Sequence, residues 1–326
     1  MAQIKVERVD LNNWTVESYT TNGGRWTVSA DGQQVVQSIN GQPTFFYSSF
    51  NVFNTKVSGK IMVGNSGDDD YIGFALGFTP GDTKNASAKY VLVDWKKGDQ
   101  PYGGVTAKAG LAASLVNGVP SPTPDFWGHT SKVTELARGK NLGSTGWQNN
   151  VEYSFDFVYT KTSLQVSVNG NLEIDIKGDF KEGRIAFYNY SQDNVTYKAF
   201  ESKVLPSGQL EVPATNEAGV ELTNPLEAQA KIKLTPTGTW SVKEGEEVSA
   251  AGKPGADLLS HLTYPNNTPY CLMVVDKGSG EAIAEVGSDT VITLEPGQTV
   301  AFKINDEPGW YWDNKGSIAV DWMVLD

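Results

Sequence analysis

Short runs in which apolar and polar positions alternate dominate the chain, and no segment sustains a 3.6-residue period. Tyr153-Ser154-Phe155-Asp156-Phe157-Val158-Tyr159 alternates cleanly, and so does Leu164-Gln165-Val166-Ser167-Val168. Asn169-Gly170 then leads into Leu172-Glu173-Ile174-Asp175-Ile176, which predicts a two-residue hairpin because both turn positions favour positive φ. Val57 to Val63 alternates in part, whereas Ile72 to Phe78 and Tyr90 to Trp95 are apolar runs of strand length. The best helical candidates, Lys108 to Leu115 and Lys132 to Ala137, are short. Lys203-Val204-Leu205-Pro206-Ser207-Gly208 reads as a connector, after which further strands are expected at Ala230–Leu234, Cys271–Val275, Thr290–Leu294, Thr299–Ile304 and Ser317–Trp322.

The length of 326 residues exceeds what one compact core usually organises, so two domains are expected, with a boundary near residue 206. The net charge is −12, and no cluster of five basic residues occurs, so nucleic-acid binding has no electrostatic footprint. An acidic surplus fits either a self-repelling soluble surface or affinity for hard cations, which take oxygen ligands. The single cysteine, Cys271, sits in an apolar run and reads as a buried small hydrophobe, and no internal disulfide can form. His129 and His261 are too few and too far apart in sequence for a histidine-based zinc site. No stretch approaches the ~18 apolar residues of a membrane span, and Met1 to Glu7 lack the apolar core of a signal peptide.

In the first part, several blocks fall in one order: Asp68-Asp69-Asp70-Tyr71-Ile72-Gly73-Phe74, Tyr90-Val91-Leu92-Val93-Asp94-Trp95-Lys96, Gly110 to Leu115, Trp127, Gly146-Trp147, and Gly183 to Val195. The series resembles the lectin-like C-terminal domain of thrombospondins, a concanavalin A-like (legume-lectin) jelly roll, over roughly residues 45–200. That resemblance implies calcium held by acidic loops. The residues agree in part. Asp68, Asp69 and Asp70 follow a flexible Gly64-Asn65-Ser66-Gly67 stretch, and three adjacent carboxylates repel one another unless water or a cation screens them. Asp193 and Asn194 would add oxygens from a second loop, while a solvated acidic turn is the plainer reading. Glu173 and Asp175 stand two apart and so share a sheet face, the placement a glycosidase would use. The further acid that such enzymes carry is replaced here by Lys177 and Gly178.

The second part opens with Gly208 to Val220 and closes with Ile304-Asn305-Asp306-Glu307-Pro308-Gly309-Trp310-Tyr311-Trp312-Asp313-Asn314-Lys315-Gly316. Both ends are similar to the PA-IL type of bacterial galactose-binding lectins. In that family the closing loop carries calcium, which itself grips two sugar hydroxyls. The resemblance assigns metal ligation to Asp306, the Trp310 carbonyl, Asp313 and Asn314, and a further carbonyl near Trp240-Ser241-Val242. Pro308-Gly309 would supply a tight turn, and open calcium positions would take vicinal hydroxyls as hard oxygen ligands. Asp313 stands where the family has Asn, and Trp310 replaces a small residue. His261 matches no family position. Three adjacent aromatics, Trp310, Tyr311 and Trp312, cannot all face a core, so at least one is expected to be exposed and able to stack on a pyranose. The alternative buries both tryptophans and leaves only Tyr311 wet.

The expectation is an all-β chain of two β-sandwich domains. Residues 1–205 form a concanavalin A-like jelly roll and residues 206–326 a PA-IL-like sugar-binding sandwich. The expected function is non-enzymatic, calcium-dependent binding of galactose-type glycans at the cell surface or outside the cell, without membrane insertion, as a homo-oligomer or within a larger adhesin. The sugar-binding set is Asp306, Glu307, Trp310, Trp312, Asp313 and Asn314. The metal set is Asp306, Trp310, Asp313 and Asn314 together with Asp68, Asp69, Asp70, Asp193 and Asn194, with calcium as cofactor. A calcium-stabilised protein- or peptide-binding adhesin module is the rival reading, and a glycoside hydrolase a more distant one.

Overall fold

A computed structural model describes residue 4 and residues 6–21, 23–243 and 246–325. The chain is almost entirely β, and it divides into two compact units, the first ending at Val204 and the second beginning at Leu205.

In the first unit, two antiparallel sheets lie face to face. One runs, in spatial order, Asn171–Lys177, Ser163–Val168, Glu152–Tyr159, Thr55–Val63, Val195–Val204, Gln34–Gln37 and Trp26–Val28, with Val6–Arg8 paired on Val195–Val204. The other runs Val133–Arg138, Gly110–Asn117, Lys89–Lys96, Tyr71–Phe78, Gly183–Tyr190, Thr44–Val52 and Thr15–Ser18. Alternate side chains of the two sheets interdigitate around Phe74, Phe155, Phe157, Phe187, Tyr197 and Trp95, each of which removes ~1.5–3 kcal/mol worth of apolar surface from water.

The second sheet is also covered on its outer face. Phe45, Phe78, Tyr90, Tyr188 and Tyr190, with Val133 at the sheet's edge, pack there under Phe126 and Trp127. Burial on both faces explains why Tyr71–Phe78 and Lys89–Lys96 read as continuous apolar runs rather than alternating ones. Strand pairing accounts for the two misplaced helices. The segments expected to be helical at Lys108–Leu115 and Lys132–Ala137 are the paired strands Gly110–Asn117 and Val133–Arg138. Ala112 and Ala113 are helix formers by propensity, but pairing with Lys89–Lys96 buries them in the sheet.

The expected hairpin is present, with Asn169 at φ 49 and Gly170 at φ 78. A register shift next to it turns Glu173 inward, while Asp175 stays exposed. The two carboxylates therefore do not share a face, and the arrangement a glycosidase needs is absent at this strand.

The second unit is also a sandwich. Ser207–Pro213, Lys315–Leu325, Ala230–Lys243 and Glu246–Ser249 form one sheet, with Thr290–Leu294 paired on Ala230–Lys243. Val220–Thr223, Thr299–Ile304, Leu272–Asp276 and Ala282–Glu285 form the other. Pro236 sits within the longest strand where the ladder toward Thr290–Leu294 has ended and that toward Glu246–Ser249 has not begun, so its missing N–H breaks no pairing on that side. Cys271 is buried, and burial pushes its thiol up to about 12.

Candidate functional site

The closing loop of the second unit connects Thr299–Ile304 to Lys315–Leu325. Its first anchor is Asn305, buried and hydrogen-bonded on both sides of its amide. Nδ2 donates to the carbonyls of Tyr264 and Thr268, and Oδ1 accepts from the Tyr264 N–H at 3.0 Å. The next residue, Asp306, is also buried, with its carbonyl accepting from Thr263 N and Thr263 Oγ1. Segment 263–268 is thereby stapled under the loop. No sequence signal singled out Thr263. The Trp240-Ser241-Val242 stretch, expected to lend a carbonyl from a loop, instead lies inside the strand Ala230–Lys243, with Ser241 opposite Lys315.

Pro308-Gly309 forms the expected tight turn. Gly309 has φ 81, and the Trp310 N–H donates to the Glu307 carbonyl at 3.1 Å. The Gly309 N–H donates to Glu217 Oε1 at 3.1 Å, which brings a residue of the opening Asn216-Glu217-Ala218-Gly219 stretch to the loop. A single 3-10 turn, Tyr311–Asp313, follows. It decides the fate of the three aromatics. Tyr311 is 2% exposed, its hydroxyl donating to the Ile304 carbonyl, whereas Trp310 and Trp312 are 52% and 73% exposed. The wet pair is thus the two tryptophans, with ring centroids 6.1 Å apart and planes tilted by 32°.

Asp306 and Asn314 meet beneath this turn. Asn314 Nδ2 donates to Asp306 Oδ2 at 2.8 Å and to the Ala214 carbonyl at 3.1 Å, and Asp306 Oδ1 accepts from the Glu307 N–H. Asn314 Oδ1 is buried with no hydrogen-bond partner. Glu307 is half-buried, and Asp313 is exposed. A buried acceptor without a donor is costly, and a hard cation is one partner that satisfies it. The donor set of Asp306 and Asn314, with the Asp313 carboxylate next along the chain, fits calcium in chemistry. Among the described residues no three His, Cys, Asp or Glu side chains converge as a metal cluster, so such an ion would depend on amide and backbone oxygens as well.

The acidic loop of the first unit is arranged differently. Asp70 and Lys96 are both buried, and Lys96 Nζ donates to Asp70 Oδ1 at 2.7 Å, to Asp69 Oδ1 at 3.2 Å and to the Asp69 carbonyl at 3.1 Å. An internal ammonium therefore screens two of the three adjacent carboxylates. Burial pushes the Asp70 carboxyl up from its usual range, and Lys96 opposes that shift. Asp68 Oδ2 accepts from Asn40, Asp193 Oδ1 accepts from Ser66, and Asn194 Nδ2 donates to the Asn65 carbonyl. Gln192 knits the two loops, accepting from the Asp70 N–H at 3.0 Å and donating to Ser66 Oγ.

A third polar cluster went unread in the sequence. His129 Nε2 lies 2.9 Å from Asp94 Oδ2, and Nδ1 lies 3.6 Å from Glu135 Oε2, which also pairs with Arg138. Burial opposes charge on His129, but the Asp94 and Glu135 carboxylates outweigh it and raise its pKa to about 9. Glu173, the other carboxylate weighed for chemistry, accepts from the Asn141 and Leu142 N–H groups, which hold it below its usual range against the cost of burial.

A sequence profile of the thrombospondin C-terminal region matches residues 21–205. Among curated proteins, the chain is similar to thrombospondin-4 of Bos taurus, 24% identical over 193 residues covering 53% of this chain and 19% of that protein. It is likewise similar to thrombospondin-3 of Homo sapiens, 25% identical over 195 residues with 53% and 19% covered. The chain thus spans about a fifth of the length of these relatives. Among solved structures, it is similar to the carbohydrate binding module CBM66 from Bacillus subtilis, at 13% identity and TM-score 0.40, covering 59% of this chain and 95% of that one. Another is the exoplasmic/lumenal domain of VIP36 in its Ca2+/Man3GlcNAc-bound form, at 12% identity and TM-score 0.40, with 62% and 89% covered.

Proposed function

The chain belongs to the family of the thrombospondin C-terminal region, and from that premise we propose that it is a calcium-dependent carbohydrate-binding protein acting at the cell surface or outside the cell. The sugar-binding loop is residues 306–314. Asp306, Asp313 and Asn314, with the Trp310 carbonyl, would hold calcium, and the ion would supply open positions for vicinal hydroxyls of a galactose-type terminal sugar. The observation that carries this reading is the buried, unpartnered Asn314 Oδ1 beside the Asp306 carboxylate.

The protein's own residues then do the rest. Asp306 gives the negative charge and orients the Asn314 amide. The 3-10 turn at Tyr311–Asp313 places Trp310 and Trp312 in solvent, where a ring face suits the C–H face of a pyranose. The reading assigns no catalysis to the chain: Glu173 is committed to loop N–H groups and Asp175 stands apart from it.

A glycan array probed first in calcium and then in chelator tests the proposal. Calcium-dependent signal on galactose-terminated glycans is the expected result. A blank array from folded protein would replace it with the reading of a protein- or peptide-binding adhesin module.

A further inference from the structure

The first unit carries an open cleft of about 520 Å3, lined by Gln42, Tyr102, Gly103, Pro122, Thr123 and Tyr190. One wall is the hairpin formed by Gln100–Tyr102 and Val105–Ala107. Its turn packs against the opposite wall so closely that a Cβ on Gly103 would lie 2.4 Å from Thr123 Cγ2. Tyr102, next to the turn, is 63% exposed, yet its ring rests on buried Trp127 in an edge contact, with centroids 5.7 Å apart. Lys96 fixes that base from below. Its ammonium lies 4.9 Å from the Trp127 ring and donates to Gln100 Oε1, at the start of the hairpin, at 3.0 Å. Tyr102 is therefore a wet aromatic on a rigid mount rather than a loose loop side chain. On the floor, buried Tyr190 has its hydroxyl 3.4 Å from Thr123 Oγ1 and its ring stacked on Tyr71. Gln42 is exposed, and its side-chain amide makes no hydrogen bond among the described residues.

The chemistry of this lining selects its ligand. No charged side chain lines the cleft, although the chain carries a net charge of −12, so an ionic ligand would find no counter-charge. A wholly apolar ligand would leave the Gln42 amide and the Tyr102 hydroxyl unmatched and would offer the Thr123 and Tyr190 hydroxyls nothing beyond their mutual 3.4 Å contact. A neutral, hydroxyl-rich ligand with one C–H face satisfies both sets, and a cleft of this size falls in the range that holds small molecules.

We propose that the cleft beside Tyr102 is a calcium-independent saccharide subsite for an uncharged one- or two-sugar unit, separate from the loop at residues 306–314. The sugar's C–H face stacks on Tyr102, and its hydroxyls meet the Gln42 amide and the Thr123 and Tyr190 hydroxyls.

The test uses the full chain carrying Asp306→Ala, in chelator, on an array of neutral oligosaccharides, followed by titration of the hits. Residual binding is expected. Adding Tyr102→Ala should weaken it about tenfold, while Tyr102→Phe, which keeps the ring, should hold it within about threefold. Because Tyr102 is exposed, both variants should fold, which unchanged melting curves would verify. A blank array in chelator, or residual binding indifferent to both Tyr102→Ala and Gln42→Ala, would overturn the proposal. Failure of the loop site shows instead as loss of the calcium-dependent signal in the unaltered protein, so the two readings fail separately.

Discussion

Asn314 donates its side-chain amide to Asp306 at 2.8 Å, while its own side-chain oxygen is buried without a partner. An acceptor stranded in this way costs about 1–3 kcal/mol, and a bound cation recovers that cost. Calcium at a hundredfold above its dissociation constant should stabilise the second unit by about 2.7 kcal/mol, read by calorimetry with and without chelator. Asp306→Ala should abolish the response. An equal response in both proteins would locate the metal elsewhere.

The Lys96–Asp70 pair makes the opposite prediction for the first unit. Lys96→Met leaves a buried carboxylate uncompensated and should destabilise that unit by about 3–5 kcal/mol in denaturant titration. Adding Asp70→Asn should recover part of the loss. If calcium instead rescued Lys96→Met fully, the acidic loop would be a metal site after all.

His129 gives a pH dependence with a definite sign. Its folded pKa of about 9 lies above its ordinary 6.5, so its stabilisation is complete below about pH 6.5 and is lost as pH rises through about 9. The shift corresponds to roughly 3 kcal/mol. Melting temperature should fall across that window in the unaltered protein and fall less in His129→Gln. Parallel curves would remove His129 from the account.

The three loop aromatics should separate binding from stability. Trp312→Ala should leave the melting temperature unchanged and weaken sugar binding about two- to tenfold. Tyr311→Ala should cost about 3–5 kcal/mol of stability, as truncation of other buried aromatics does. A sugar affinity unmoved by Trp310→Ala and Trp312→Ala together would show that neither ring touches the ligand.

Glu173 should behave as a loop staple. Glu173→Ala leaves the Asn141 and Leu142 N–H groups without their acceptor and should lower stability by about 1–3 kcal/mol. Turnover of a chromogenic glycoside by the unaltered protein, lost in this variant, would reopen the enzymatic reading.

Much of the strand layout was legible because it rests on local rules. Period-2 alternation at Tyr153–Tyr159 and Asn-Gly at 169–170 predicted a strand and a turn that the fold contains. The same rules failed at Gly110–Asn117 and Val133–Arg138, where the local sequence read as helix and pairing with neighbouring strands decides otherwise. They also failed at Glu173, since one register shift moved it off the face that strict alternation assigned to it.

At the candidate sites the division is sharper. The sequence by itself determined which oxygen donors are available at Asp306, Asp313 and Asn314, the tight turn at Pro308-Gly309, and the fact that three adjacent aromatics could not all be buried. Only the tertiary structure decided that Tyr311 goes inward and both tryptophans outward, because alternation leaves the phase open and it is the Tyr311 hydroxyl that finds a buried acceptor, the Ile304 carbonyl. Only it brought Lys96 to Asp69 and Asp70 across 27 and 26 residues, and His129 to Asp94 across 35. Charge neutralisation acts through space, and the partner of a buried carboxylate is set by which strands pair.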